Sequence, residues 1–252
     1  MKISIDKEIY LIRHGETDWN NLGLGQGSRN DIVLNKTGKE QAQYTGKYLK
    51  DYRIQNKNFD LVLCSPLLRT KETAEIICNN IDYDVNKIVY YDELVETDQG
   101  LLAVGKSFEE LKKDKFYDDF MKLDEKLNKI KDPIEHNIML NKYKLNDKIN
   151  KKYELETDKH LLQRCKKIMN IINKSNKKKI LIISHGGTII DGFIKLLFNV
   201  NNIMVNKKFG DNCHITYIIK SNYMPRYIML SNPNTLHFDI YNKNYSKIKK
   251  YS

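Results

Sequence analysis

Two histidines in this chain stand where an apolar run gives way to a polar cluster rich in glycine. Ile9–Ile12 leads into Arg13-His14-Gly15-Glu16, and Ile180–Ile183 leads into Ser184-His185-Gly186-Gly187. Neutral imidazole is a good nucleophile near neutral pH and can attack phosphorus. An adjacent guanidinium offers a planar fork to phosphate oxygens, and a glycine lets the backbone approach closely. Gly23-x-Gly25-x-Gly27 also looks like a phosphate cradle. It does not stand between a strand and a helix as a dinucleotide loop does, and it reads as a flexible active-site loop. Ser65 and Ser184 lack the Gly-x-Ser-x-Gly elbow of serine hydrolases and read as turn residues. His136, His160, His214 and His237 read as structural histidines.

The elements that must position these residues follow from periodicity. Short β-branched runs predict strands at Glu8–Arg13, Asp60–Ser65, Lys87–Tyr91, Lys179–Ser184, His214–Lys220 and Tyr227–Leu230. Helical patterns fall at Lys36–Asp51, Leu67–Asn79, Lys159–Asn173 and Thr188–Phe198. The near-continuous apolar strands suit a mostly parallel sheet covered on both faces, a three-layer α/β/α sandwich. Ligands bind beyond the carboxyl ends of such strands, so both histidine clusters are expected at one rim, facing one crevice. The whole of 1–252 reads as a single domain. Residues from about 106 to 156 read as a helical cap or insertion within it, the Lys-, Asp- and Asn-rich part of which is either a lid or a mobile loop. The tail after Asp239 reads as frayed.

Leu11-Ile12-Arg13-His14-Gly15-Glu16-Thr17-Asp18-Trp19-Asn20 resembles the signature of the histidine phosphatase superfamily, which includes the cofactor-dependent phosphoglycerate mutases. The similarity continues in order through Asp31-x-x-Leu34-x-x-x-Gly38-x-x-Gln41-Ala42 and Ser65-Pro66-Leu67-x-Arg69-x-x-x-Thr73-Ala74. It extends through Leu94-x-Glu96 and Ser184-His185-Gly186-Gly187, with weaker matches at Glu156-Thr157, Arg164 and Asn212-Cys213. The resemblance implies that His14 is the nucleophile and forms a transient phosphohistidine. It implies that Arg13, Arg69 and His185 surround the phosphoryl oxygens, and that Glu96 is the general acid and then the base. Asn20, Gln26, Gly27 and Gly186 are implied as further substrate contacts. Neither metal nor cofactor is implied, because two arginines and a second histidine supply the positive charge.

The same chemistry ends in hydrolysis or in return of phosphate to another hydroxyl. Glycolytic mutases carry Asn-Glu-Arg-x-Tyr-Gly around the acid, where this chain has Leu94-Val95-Glu96-Thr97-Asp98-Gln99-Gly100. Thr97 stands in place of the arginine, and Asp98 would repel a second phosphate if it faced the site. Gly100, Gly105, Ser107 and Glu109-Glu110-Leu111 look closer to the broad-specificity phosphatases, although Ala103-Val104-Gly105 stands where Trp-Glu-Gly is usual. The expectation is therefore a phosphomonoester hydrolase acting on a small phosphorylated metabolite. The alternatives are a phosphoglycerate mutase, and a regulatory or nucleic-acid-binding module on the same fold.

Composition narrows the setting. The chain has 252 residues, 40% hydrophobic and 30% charged, as in ordinary globular proteins. The net charge of +11 comes from lysines spread among Asn, Ile and Tyr rather than from a compact basic helix, so a nucleic-acid partner is not expected. No apolar run reaches membrane-spanning length, and Met1–Tyr10 does not read as a signal peptide. Cys64, Cys78, Cys165 and Cys213 are widely spaced and suit reduced, buried thiols in a cytoplasmic protein. The resemblance leaves a homodimer open.

Overall fold

The computed structural model describes residues 5–29, 31–54, 58–113, 154–198, 211–221 and 227–234. Six strands form one sheet: β1 (Ile5–Arg13), β2 (Leu61–Cys64), β3 (Val89–Tyr90), β4 (Lys179–Ser184), β5 (Ile215–Ser221) and β6 (Tyr227–Asn234). Their spatial order is β3-β2-β4-β1-β5-β6. The pairings among β3, β2, β4 and β1 are parallel, whereas β5 pairs antiparallel with both β1 and β6. The helices are α1 (Asp18–Asn21), α2 (Lys36–Leu49), α3 (Leu68–Asn80), α4 (Gly100–Ala103), α5 (Phe108–Lys112), α6 (Asp158–Lys174) and α7 (Lys195–Phe198).

Alternation along the strands builds a core on each face of the sheet. Tyr10 and Ile12 of β1, with Leu181 and Ile183 of β4, pack against Ala42 and Leu49 of α2 and Ala74, Ile77 and Cys78 of α3. Ile9, Leu11, Ile180 and Ile182 point the other way, against Leu161, Cys165, Ile168, Met169 and Ile172 of α6 and against Ile189 and Phe193. This is the expected three-layer sandwich. All six residues of β4 are buried, which explains why its sequence shows no polar alternation.

Two helical expectations are modified. The segment Thr188–Ile194 forms a π-helical stretch before α7, and α2 passes into a π-helical turn at Lys50–Ile54. Side-chain periodicity reports only which face is apolar, so it cannot tell an i→i+5 ladder from an i→i+4 one. Most of the expected cap, residues 114–153, lies outside the described residues, as do His136, His237 and the tail after Asp239; α5 falls at the start of the expected range.

α2 and α3 meet at Gly46, where an added Cβ would lie 2.6 Å from Asn80 Cβ and 3.3 Å from Ile77 Cα. Alanine gains about 1 kcal/mol over glycine in a helix. Here the overlap with rigid atoms outweighs that gain, so Gly46→Ala should lose about 1–3 kcal/mol. Urea unfolding checks this, and a variant at least as stable as the parent would contradict the close α2–α3 contact.

Candidate active site

The parallel register decides which side chains meet. Arg13 of β1 pairs with Ser184 of β4, and Cys64 of β2 pairs with Ile183. Continued by one residue, that register sets His14 level with His185 and leaves Ser65 one step short of them, level with Ser184. His14 N–H still donates to Ser184 O at 3.0 Å, and Ser65 N–H to Ile183 O at 3.0 Å. The two imidazole centroids lie 5.2 Å apart.

His14 is 2% exposed and His185 is fully buried. Nδ1 of His14 lies 2.7 Å from Gly15 O. A carbonyl only accepts, so Nδ1 carries the proton and Nε2 keeps its lone pair. Burial holds the pKa of His14 well below 6.5, and Arg13 and Arg69 push it further the same way. His185 is lowered by burial and then by Arg69 and His14. Nε2 of His185 lies 2.8 Å from Ser65 Oγ, while its Nδ1 is buried with no hydrogen-bond partner among the described residues.

Arg13 packs over Gly186, where a Cβ would come within 3.4 Å of Arg13 Nε. That Nε is buried without a hydrogen-bond partner among the described residues. Arg69, near the start of α3, is fully buried and donates from Nη2 to Gly27 O at 2.8 Å. Burial pulls Arg69 down to about 10, which leaves it charged at neutral pH, and Arg13 is lowered for the same reason. Glu96 counters the shift of both arginines. Its carboxylate accepts from the N–H groups of Thr97 (2.8 Å), Thr188 (3.2 Å) and Gly187 (3.4 Å).

The loop after His14 is braced by residues of the following helices. Gly15 N–H donates to Thr73 Oγ1 at 3.0 Å and Glu16 N–H to Gln41 Oε1 at 2.9 Å. A Cβ on Gly15 would lie 2.5 Å from Gly38 O, so glycine is required there by contact. Asn20 closes a capping box with Thr17, and its Oδ1 also accepts from Asn212 Nδ2 at 3.1 Å. Asn212 Nδ2 reaches His14 O as well, at 3.1 Å.

The Gly23-x-Gly25-x-Gly27 loop is fastened rather than flexible. Gly25 N–H donates to Lys106 O at 3.1 Å, and Gly105 N–H to Gly25 O at 2.8 Å. Gln26 is 8% exposed, with its Oε1 buried and without a hydrogen-bond partner among the described residues. Asp98 is turned to Arg29, whose Nε reaches both carboxylate oxygens at 3.0 Å, and it accepts from Gly100 N–H at 2.8 Å. Arg29 also donates to Glu154 Oε2 at 2.6 Å. The structure thus gathers His14, Arg13, Arg69, His185 and Glu96, with Gly186 beneath Arg13 and Gly27 against Arg69.

Three residues that stand in the sequence motifs have contacts there that the motifs alone do not assign. Ser65, taken as a turn residue, bonds His185; Thr73 holds Gly15; and Arg164 holds the segment carrying Glu96. Arg164 carries a further signal, an arginine on the apolar stripe of α6 between Leu161 and Ile168.

The family profile of the histidine phosphatase superfamily (branch 1) matches residues 9–232, and the chain belongs to that superfamily. It is 46% identical over 92 residues to the uncharacterized phosphatase PhoE of Bacillus subtilis (strain 168), a stretch covering 36% of this chain and 43% of that one. The chain thus spans less than half the length of the curated relatives it matches. Among solved structures, a phosphoserine phosphatase variant from Entamoeba histolytica in complex with phosphoserine superposes with a TM-score of 0.63 at 24% identity, over 92% of this chain and 98% of that one. A phosphoglycerate mutase from Bacillus anthracis gives 0.66 at 21% identity, over 92% and 94%. At these identities the two structures establish the phosphoglycerate mutase-like fold. No helix among the described residues is long and apolar enough to cross a membrane.

The buried imidazoles make stability depend on pH. His14, His185 and His214 are all held below 6.5, the last to about 4 by burial, and they regain the ordinary value on unfolding. Below pH 6.5 the unfolded chain therefore binds more protons, and stability present above that pH is lost as pH falls toward the folded values. Each such histidine contributes a slope of about 1.4 kcal/mol per pH unit inside its window. The thermal unfolding midpoint should begin to drop near pH 6.5, before ordinary carboxylates titrate. A midpoint that stays flat from about pH 6.5 to about pH 5 would contradict the assignment.

Proposed function

We propose that this chain is a phosphomonoester hydrolase that passes the phosphate of a small phosphorylated metabolite through His14 to water. The observation that carries this reading is the pairing of an Nε2 lone pair, fixed by the Nδ1–Gly15 O bond, with the buried cations Arg13 and Arg69. His14 Nε2 attacks phosphorus and the bond to the ester oxygen breaks, with Glu96 giving that oxygen a proton. Glu96 then takes a proton from water, whose oxygen attacks the phosphohistidine and releases His14 and inorganic phosphate. Arg13, Arg69 and His185 stabilise the equatorial oxygens throughout, and no metal or cofactor is required. Asn20, Gln26, Gly27 and Gly186 complete the contacts to phosphate or substrate.

Hydrolysis is favoured over mutase activity because the acid segment lacks the arginine for a second anionic group. Thr97 occupies that position, and the carboxylate of Asp98 is engaged by Arg29. The phosphatase names of several relatives support the same reading. We further propose one domain with a helical cap near residues 106–156, a cytoplasmic location, homodimerisation, and no nucleic-acid partner.

Purified protein offered a panel of phosphomonoesters in chelator should release inorganic phosphate, and Glu96→Gln should lower turnover of alkyl esters by about 10²–10⁴-fold. Interconversion of 2- and 3-phosphoglycerate with negligible hydrolysis would overturn the preference for water as acceptor. Salt-sensitive binding to nucleic acid with no turnover would replace it by a binding module.

A further inference from the structure

Arg164 lies on the buried stripe of α6 and is 5% exposed. A guanidinium in that position must have its donors met. Nε donates to Glu156 Oε1 at 2.7 Å and Nη2 to Glu156 Oε2 at 2.9 Å, a bidentate pair with both side chains 6% exposed. Nη1 donates to two carbonyls at once, Glu93 O at 2.7 Å and Val95 O at 2.8 Å. Glu156 Oε2 accepts from Asp98 N–H at 3.3 Å, and Glu156 N–H donates to Asp98 O at 2.9 Å. The pair therefore grips the chain on both sides of Glu96.

Thr188 joins this clamp to the carboxylate itself. Its Oγ1 accepts from Arg164 Nη2 at 3.3 Å and donates to Val95 O at 2.6 Å, while its N–H donates to Glu96 Oε1 at 3.2 Å. Ser184, one residue before His185, adds an Oγ–H bond to Leu94 O at 2.7 Å. None of these contacts reaches His14, Arg13 or Arg69.

We propose that the buried Glu156–Arg164 pair is a positioning element that fixes the Glu96 carboxylate over the leaving oxygen and the attacking water, and so controls proton transfer without taking part in phosphate capture. The inference rests on the acid–base role given to Glu96 above. A pair that only stabilised the fold would, when broken, slow every substrate alike. A positioning pair must matter most where the leaving group needs a proton.

Arg164→Met, Arg164→Lys, Glu156→Gln and Glu96→Gln are compared on glycerol phosphate, a poor leaving group, and on 2,4-dinitrophenyl phosphate, whose phenolate departs unprotonated. Arg164→Met should lower phosphorylation of His14 by glycerol phosphate by about 10²-fold, following Glu96→Gln, yet leave the dinitrophenolate burst within about threefold of the parent. The steady state after the burst should slow, because water still needs the base. Arg164→Lys should recover part of the loss, since one ammonium cannot reach both oxygens of Glu156, both carbonyls and Thr188 together. Equal losses on both esters, or no loss on either, overturn the inference. Should Arg164→Met not fold, Glu156→Gln carries the same comparison with the same two overturning results. If Glu96→Gln itself discriminates no leaving group, the failure lies in the role of Glu96 rather than in its positioning.

Discussion

Two guanidinium groups held out of water beside two imidazoles that are denied protons set the terms for the rest of this structure. Arg13 and Arg69 lower the proton affinity of His14, and burial adds to the effect. The carboxylate acting on both arginines is that of Glu96. Such a cluster is costly to bury as it stands, since like charges are brought together in a low dielectric. Under the proposed function a phosphate dianion would reverse that balance by meeting preorganised donors with no need to reorient them. Buried nitrogens without a hydrogen-bond partner among the described residues, such as Arg13 Nε and His185 Nδ1, belong to the same unbalanced state.

The scaffold supplies rigidity in proportion. The registers of β1 and β4 deliver His14 and His185 to one level, with Ser65 of β2 one step below, so the distance between imidazoles is set by backbone ladders rather than by loops. α2 and α3 hold the Gly15-Glu16 turn through Gln41 and Thr73. On the opposite face, α6 and the π-helical stretch hold the segment from Glu93 to Asp98. The Glu96 carboxylate is thus positioned from one layer of the sandwich and the turn after His14 from the other, with the sheet between them.

Much of this was legible in the amino-acid order. The runs Ile9–Ile12 and Ile180–Ile183, each ending in a histidine and glycine, carry the strand type, the burial on both faces and the shared rim. The resemblance added Arg69 and Glu96, which no local spacing links to His14. What stayed hidden depends on chain segments far apart. Arg164 on an apolar stripe looks anomalous by itself, and its purpose emerges only when the carbonyls of Glu93 and Val95 arrive beside it. Whether Asp98 faces the site stayed open in the sequence, because its partner Arg29 is remote along the chain. The glycine-rich loop read as flexible for a similar reason: its bonds to Gly105 and Lys106 are long-range pairings that glycine content does not reveal.

The proposed function requires Nε2 of His14 to carry the phosphate. Rapid acid-free quenching of the enzyme with a ³²P-labelled phosphomonoester, followed by phosphoamino-acid analysis, tests this directly. Label should appear on protein within the first turnover, survive alkali, be lost in acid, and be absent from His14→Ala. Label that persists in His14→Ala, or turnover of that variant at the parental rate, would contradict it.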